Sequence, residues 1–334
     1  MKILSFFCCF VILGIFVNLP CQGQIQLFHR PYAFTLTPRT GLMYGTLYEI
    51  AYQNSETDRY LSELQWEQKP LVYQGFDFLF GPRSPQQDWG FFIGSSLKAA
   101  VPMQTGSVED RDWIAADGTA LSHFSAHDNK TLGAFFFNLN SGFSFPLWKV
   151  LVVQLPLSFD YQFIKMVAMD GYTQYGPNGS VPPPGGSYQP WNPAFPKKAF
   201  NGSGISYSQH WFILSPGLVL AANLGRFTLS ASFKISPLVA AIAIDDHMVR
   251  EILFTDLLVG GLYLEPAAGL SFNFNRRFRI GADFSYRRIK GTRGNEIVEY
   301  YGSNGDDESD GVALDCGGAG MELFEGSIFL NIRI

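Results

Sequence analysis

Apolar and polar residues alternate one for one in two stretches near the end of the chain. From Phe278 to Arg287 every second residue is apolar, and the residues between them are charged, small or polar. The segment from Ile328 to Ile334 repeats the pattern. Because successive side chains of a β-strand point to opposite faces, the pattern predicts strands with one apolar and one polar face. A shift by one residue would move every charge to the apolar face, so the register is well determined.

Similar segments along the chain predict ten strands, joined alternately by short turns and long polar loops. Their approximate bounds are 33–52, 60–79, 89–105, 131–145, 150–169, 206–222, 227–247, 253–274, 278–290 and 319–334. We therefore predict an all-β fold, a ten-stranded antiparallel transmembrane β-barrel with long extracellular loops. A soluble β-sandwich with one wet face is the alternative, but these strands are long for it and the loop lengths alternate too regularly.

The composition agrees with a bacterial outer-membrane location. The chain is 47% hydrophobic and 16% aromatic, only 16% of its residues are charged, and it has 34 glycines. After the first residues, no apolar run approaches the roughly 20 residues that a membrane helix needs. The net charge of −5 argues against binding to nucleic acid and favours attraction of basic peptides.

The N-terminus has a short positive start and an apolar segment, followed by the small residues Cys21 and Gly23. This pattern predicts a secretory signal peptide at residues 1–23, with the barrel formed by residues 24–334. A lipoprotein acylated on Cys21 is an alternative, although Pro20 directly before it is a poor context. Cys316 is then the single cysteine left, which excludes an intramolecular disulfide.

Two pairs of polar residues near the predicted outer rim are candidates for chemistry. Asp245 and His247 end the seventh predicted strand and share a face, an arrangement that orients an imidazole and raises its basicity. Asp110 and Asp112 follow the third predicted strand and also share a face in extended backbone. Their crowded charges raise the proton affinity of one carboxylate. The four side chains suit either hydrolysis or a divalent-cation site.

Six short motifs occur in a fixed order across most of the chain. They are Asp110–Trp113, Ser125–His127, Gly185–Tyr188, Tyr207–Gln209, Asp245–His247 and Gly318–Glu322. Together they resemble landmarks of the omptins, ten-stranded outer-membrane endopeptidases of Gram-negative bacteria.

The resemblance implies that four side chains hydrolyse peptide bonds with an activated water. His247, oriented by Asp245, would be the general base. Asp110 would hold and polarise the water across the cleft, and Asp112 would support Asp110 and the tetrahedral intermediate.

The resemblance also implies how the enzyme meets its surroundings. Ser125 and His127 would be accessory residues, and catalysis would need no metal and no cofactor. Substrates would be extracellular peptides or proteins, and we expect a monomer. The family requires lipopolysaccharide, so an outer-membrane lipid is an expected partner, but the sequence does not place the basic residues that would hold it.

Three positions depart from the family pattern. The acidic pocket for a basic residue before the scissile bond would keep Glu49 but have Ala243 where a second acid is expected. Losing a charge-assisted partner typically costs about 1.5–3 kcal/mol, so we expect a looser or different preference at this pocket. Asp246 replaces a glutamate on the opposite face, and Ile334 replaces the aromatic residue with which such barrels commonly end.

Two other functions compete with a protease. A non-catalytic barrel would act as an adhesin or bind other proteins, having lost its specificity pocket. A porin or transporter is disfavoured because ten strands leave little free lumen once side chains fill it. Asp110, Asp112, Asp245 and His247 favour the protease.

Overall fold

Antiparallel β-strands form most of the chain that the computed structural model describes, which is residues 25–27, 30–114, 119–176, 188–302 and 310–334. The predicted signal peptide and the motif residues 185–187 lie outside this part. Within the described residues there is no helix with the length and hydropathy needed to cross a bilayer.

Fifteen strand segments make up one sheet. They are β1 (Ile25–Leu27), β2 (Arg30–Tyr52), β3 (Tyr60–Pro82), β4 (Gly90–Ala100), β5 (Met103–Asp112), β6 (His123–Pro146), β7 (Leu151–Tyr175), β8 (Lys198–Ala199), β9 (Ser203–Leu224), β10 (Phe227–Ser236), β11 (Val239–His247), β12 (Ile252–Val259), β13 (Leu262–Asn273), β14 (Phe278–Tyr300) and β15 (Gly311–Arg333).

The hydrogen-bonded ladder returns to its starting strand. β2 pairs with β3, β3 with both β4 and β5, and these two with β6. The ladder continues through β7 to β9, which pairs with β10 and β11. β13 and β12 follow, both pair with β14, and β15 joins β14 back to β2. One closed ladder replaces the two facing sheets of the sandwich alternative.

The all-β antiparallel fold is confirmed, but the predicted count of ten strands is wrong for the segments observed. Three of the predicted strands are each divided in two, at Val101–Pro102, at Pro237–Leu238 and at Gly260–Gly261. Proline has no N–H for the ladder, and both of these glycines have φ near +84°, which interrupts extended backbone. Two short strands, β1 and β8, were not predicted at all.

Several strands extend further than the apolar pattern indicated. β5 continues to Asp112, and β6 already begins at His123, so residues predicted to lie in a polar loop are paired across the sheet. β14 and β15 likewise run on to Tyr300 and back to Gly311. Where both faces of a strand are polar, the alternation that marks a strand disappears from the sequence.

The two faces of the closed ladder differ in chemistry. The outer face exposes many large apolar side chains, among them Phe78, Leu157, Leu229, Ile280 and Phe284. So many exposed large apolar side chains on one face are not typical of water-soluble monomers. The inner face carries polar and charged side chains in the same strands. On β2 the exposed apolar residues end at Tyr44, and the strand continues for eight residues beyond it.

Candidate active site

Asp245 and His247 lie on β11, past the apolar band, with both side chains on the inner face. His247 Nε2 is 2.6 Å from Asp245 Oδ2. An ionised carboxylate only accepts hydrogen bonds, so Nε2 carries the proton and Nδ1 is the basic nitrogen. The spacing of these two residues in the sequence predicted this pair, and the structure brings them together.

Asp110 and Asp112 lie on β5, at the level of Ser62 and Ser125 of the adjoining strands. The hydroxyl groups of Ser62 and Ser125 each lie 3.5 Å from a carboxylate oxygen of Asp110. The register pairs Asp112 with Ser62 of β3 and with His123 of β6. Two serine hydroxyls therefore flank the pair of acids from both neighbouring strands.

Glu49 of β2 completes the acidic wall. Trp66 Nε1 donates a hydrogen bond of 3.2 Å to its Oε2. The carboxyl group of Glu49 also bonds to that of Asp245, so one proton is shared between two acids. Trp66 stacks on Tyr207 with ring centroids 5.4 Å apart, which fixes the plane of the donor.

Burial shapes the protonation of the whole site. It raises the pKa of Asp110, and the charges of Asp112, Glu49 and Asp245 raise it further. Burial also raises the pKa of Glu49 well above its ordinary value and that of Asp245 to about 7. These three charges belong to β5, β2 and β11, so Asp110 lies close to both Glu49 and Asp245 across the inner face.

Burial acts in the opposite direction on His247, because it disfavours a charged imidazolium. The pKa of His247 is lowered, so the imidazole is neutral at pH 7 and can accept a proton. A neutral imidazole beside several acids that hold their protons is a site prepared for proton transfer.

Ser125 and His127, the predicted accessory pair, are neighbours on β6. His127 Nδ1 donates to the backbone carbonyl of Asp170 at 2.5 Å, and Nε2 lies 3.0 Å from Ser125 Oγ. The bond to Asp170 leaves Nε2 as an acceptor, so the Ser125 hydroxyl turns toward His127. The pair is linked to the predicted catalytic residues through the 3.5 Å contact from Ser125 to Asp110.

The alternative of a divalent-cation site involves a different set of residues from the one the sequence suggested. Donor atoms of Glu49, Asp245 and His247 lie within 4.8 Å of one another. Within the described residues, Asp110 and Asp112 do not belong to that group. Carboxylates and an imidazole are suitable ligands for several metals, although two of these acids already bond to each other.

Asp246 points away from this group, as its place between Asp245 and His247 predicted. Tyr301 donates a hydrogen bond of 2.7 Å to Asp246 Oδ1 on the other side of the strand. Asp246 therefore acts on the inner face through its charge, which contributes to raising the pKa of Asp245, and makes no hydrogen bond there that is seen among the described residues.

The sequence analysis missed several residues of the site. Asp256 of β12 is an acid on the inner face, 7% exposed, and lies directly opposite Ala243 in the β11–β12 register. A single charge inside the apolar run Phe254–Leu258 is the signal that could have revealed it. Ser62 and Trp66 carry no such signal, because their roles follow from the pairing of β3 with β5 and β2.

Comparisons with known proteins agree on one family. The profile of the Omptin family matches residues 30–322. The chain is 24% identical over 273 residues to a plasminogen activator of Yersinia pestis, with 80% of each chain covered. The solved structure of the outer membrane protease OmpT of Escherichia coli is similar at a TM-score of 0.78 and 17% identity. That similarity covers 90% of this chain and 97% of OmpT.

Proposed function

The chain belongs to the omptin family. From this premise we propose that it is an outer-membrane endopeptidase that activates water at the extracellular mouth of a barrel with ten strand positions. The chain is an outer-membrane protein, as its relatives are. Each divided strand counts as one strand position, namely β4 with β5, β10 with β11, and β12 with β13. The apolar outer face of the lower part of the ladder is suited to contact with the lipid bilayer.

The observation that carries this proposal is the 2.6 Å bond between His247 and Asp245, opposite the acids of β5. Neutral His247 takes a proton from water through Nδ1 as the water attacks the peptide carbonyl. Asp245 stabilises the imidazolium that forms, and Asp110 with Asp112 holds the water in place. The proton then passes to the leaving amine, so the peptide bond breaks with one water consumed.

Acids with raised pKa values support the role of the β5 pair. A carboxyl group of Asp110 that keeps its proton donates a hydrogen bond to the oxygen of the tetrahedral intermediate, where negative charge develops. Ser125 and His127 hold Asp110 in place from behind. Extracellular peptides or proteins are the substrates, and the enzyme works as a monomer without a metal or cofactor.

The test uses the protein refolded in detergent, with and without lipopolysaccharide, and a mixed peptide library. We expect His247→Ala and Asp110→Asn each to reduce cleavage by roughly 10²- to 10⁴-fold, which is the usual contribution of a positioned acid or base. Asp246→Asn is the matched control, since it removes a neighbouring charge from the other face. Mass spectrometry of the products measures each rate.

The outcomes separate the enzyme from its alternative. Equal, negligible cleavage by the folded wild type and all variants would contradict the proposal and leave a barrel that binds other proteins. Cleavage that disappears without lipopolysaccharide would support the lipid as a required partner.

A further inference from the structure

His123 is a buried histidine for which the proposed hydrolysis has no use. It opens β6 on the same face as Ser125, and only 3% of it is exposed. In the register it pairs with Asp112 of β5 on one side and with Tyr175 of β7 on the other. An acid, an imidazole and a phenol therefore form one row across three neighbouring strands.

The hydrogen bonds of Ser122 fix the tautomer of His123. The Ser122 hydroxyl donates its single proton to the backbone carbonyl of Asp112 at 3.0 Å and accepts from the N–H of Ile114 at 3.2 Å. His123 Nδ1 lies 3.0 Å from the same oxygen, and because the hydroxyl proton is already used, Nδ1 must donate to it. Nε2 is therefore the nitrogen that can bind a further proton and make His123 a cation.

Two tyrosines fix the plane of the His123 ring. The ring centroids of Tyr175 and Tyr188 lie 4.5 and 4.6 Å from the centroid of the imidazole. Both tyrosine rings are steeply inclined to it, at 64° and 78°. The imidazole is thus held in one orientation by packing and by a hydrogen bond, which is how a fold supports a side chain that must act at a defined place.

The two acids of β5 are subject to different charges. Burial raises the pKa of both Asp110 and Asp112. The charges that act most strongly on Asp110 belong to other acids and raise its pKa further. Those that act on Asp112 belong to cations and lower its pKa. Two crowded acids hold one proton more readily than two negative charges, so this difference favours a proton on Asp110 and an ionised Asp112.

His123 is the cation best placed to distinguish the two acids. The other positive charges that act on Asp112 are those of His247 and of Arg250, which lies in the turn after β11. Burial keeps His247 neutral at pH 7, and Arg250 acts on Asp245 as well. His123 is the direct partner of Asp112 in the ladder.

We propose that His123, as an imidazolium, holds Asp112 in its ionised form and thereby keeps the proton shared by the two β5 acids on Asp110. His123 is then a positioning residue, since it acts through Asp112 and not on the substrate. The inference rests on the proposed function, in which protonated Asp110 donates to the oxygen of the intermediate, and deepens it. Neutral His247 accepts a proton across the cleft, whereas His123 keeps one.

The experiment measures the pH dependence of kcat/KM for one cleaved library peptide. His123→Asn keeps a donor at the place of Nδ1 but removes the charge, and His123→Lys keeps a charge but removes the ring. A nearby opposite charge lowers the pKa of a carboxyl group by about one or more. We therefore expect the acidic limb of the His123→Asn profile to move up by about one pH unit, and kcat/KM on that limb to fall about tenfold. His123→Lys should keep the wild-type limb, whereas a purely structural role of the ring would spare the asparagine variant instead.

A double-mutant cycle shows whether His123 acts through Asp112. In an Asp112→Asn background the amide cannot ionise, so adding His123→Asn should lower the residual kcat/KM by less than about twofold. His210→Asn is the control, because the His210 ring packs against Phe163, with centroids 4.7 Å apart, and has no part in the proposed hydrolysis. Its profile should match the wild type.

Failure of this inference differs from failure of the proposed function. An unmoved acidic limb in His123→Asn, or the full loss in the Asp112→Asn background, would overturn the role of His123 while the peptidase stands. If His123→Asn does not refold, His123→Lys decides, because a limb that moves despite the retained charge would overturn the role and an unmoved limb would support it. A folded wild type that cleaves no library peptide would overturn the peptidase itself.

Discussion

Two groups of buried charges share the interior of this sheet, and they are built in opposite ways. The lower group, at the level of the apolar band, mixes bases with acids. Arg287 lies 2.9 Å from Glu265 and 3.2 Å from Glu325, and Arg39 lies 3.1 Å from Asp283. The upper group, beyond the band, contains acids with one neutral imidazole. No lysine or arginine of the described chain forms an ion pair with Glu49, Asp110 or Asp256.

The difference separates a structural use of buried charge from a functional one. Charges removed from water are tolerated when oppositely charged partners compensate them. The lower group therefore links neighbouring strands and fills the interior of the sheet. In the upper group the charge of Arg250 compensates Asp112 and Asp245 only in part, and burial still raises the pKa of both acids and of Glu49 and Asp110. Strongly shifted acids of this kind cluster at functional sites, and the proposed hydrolysis uses the protons that they hold.

The largest expected effect comes from breaking the lower group. Arg287→Met leaves Glu265 and Glu325 without their guanidinium, and we expect a loss of about 3–5 kcal/mol in the free energy of unfolding. The urea midpoint of the refolded protein in detergent measures it. Arg288→Met is the control, since its ion pair with Glu322 is more than a third exposed and should contribute under ~1 kcal/mol. Equal losses from both variants would contradict the comparison.

In the upper group, by contrast, removing a buried acid should raise the free energy of unfolding at high pH. The pKa of Asp245 is about 7 when folded and near 3.8 when unfolded, so the proton stabilises the fold at low pH. That contribution disappears as the pH rises from about 4 through 7, because the folded state must then ionise a buried acid.

Asp245→Asn removes the acid that must ionise, and with it the loss of stability between pH 4 and pH 7. At pH 8 we expect the variant to be more stable than the wild type by about 1–3 kcal/mol, although inactive, and at pH 4 the difference should nearly vanish. Urea midpoints at the two pH values measure it. Asp246→Asn is the comparison variant: it removes a neighbouring charge that raises the pKa of Asp245 but keeps the buried acid, so its effect at pH 8 should have the same sign and be smaller. A variant less stable than the wild type at pH 8 would show that Asp245 has a structural role.

The smallest effect concerns the hydrogen bond that orients Glu49. Trp66→Phe removes the Nε1 donor and should cost about 1 kcal/mol of stability. It should also lower, by less than tenfold, the preference for a peptide with arginine before the scissile bond over the same peptide with its uncharged isostere citrulline, because Glu49 stays but is held less firmly. Trp211→Phe is the matched control, since its Nε1 donates to Gln209 and not to Glu49. Similar changes in preference from both variants would exclude a specific role for the Trp66 bond.

The sequence predicted the extent of a strand well only where one face of the strand is apolar and the other polar. The alternation from Phe278 to Arg287 predicted one apolar face, and Ile280 and Phe284 are indeed exposed on the outside. Above the apolar band both faces are polar, so the extensions of β5 and β6 left no alternation to detect. Proline at positions 102 and 237 indicated breaks that the predicted long strands passed over.

The candidate site followed the same division. Asp245 with His247, and Asp110 with Asp112, are two residues apart, so local spacing alone places each pair on one face. Asp256 depends on the pairing of β11 with β12, which is a relation between strands. No local pattern contains that relation, and the single charge in an apolar run was the sole trace of it.

The interruptions in three of the long strands have a consequence for how the site is held. β5 and β11 begin after Pro102 and Pro237, and β12 ends just before Gly260–Gly261. These three short strands carry Asp110, His247 and Asp256. The proposed reacting groups thus lie on strand segments that a backbone interruption separates from the strands below them. The interruptions remove ladder hydrogen bonds from these three positions, while the uninterrupted strands β2, β7 and β15 carry the ladder through the same level. Compliance and rigidity are distributed among neighbouring strands of the same sheet.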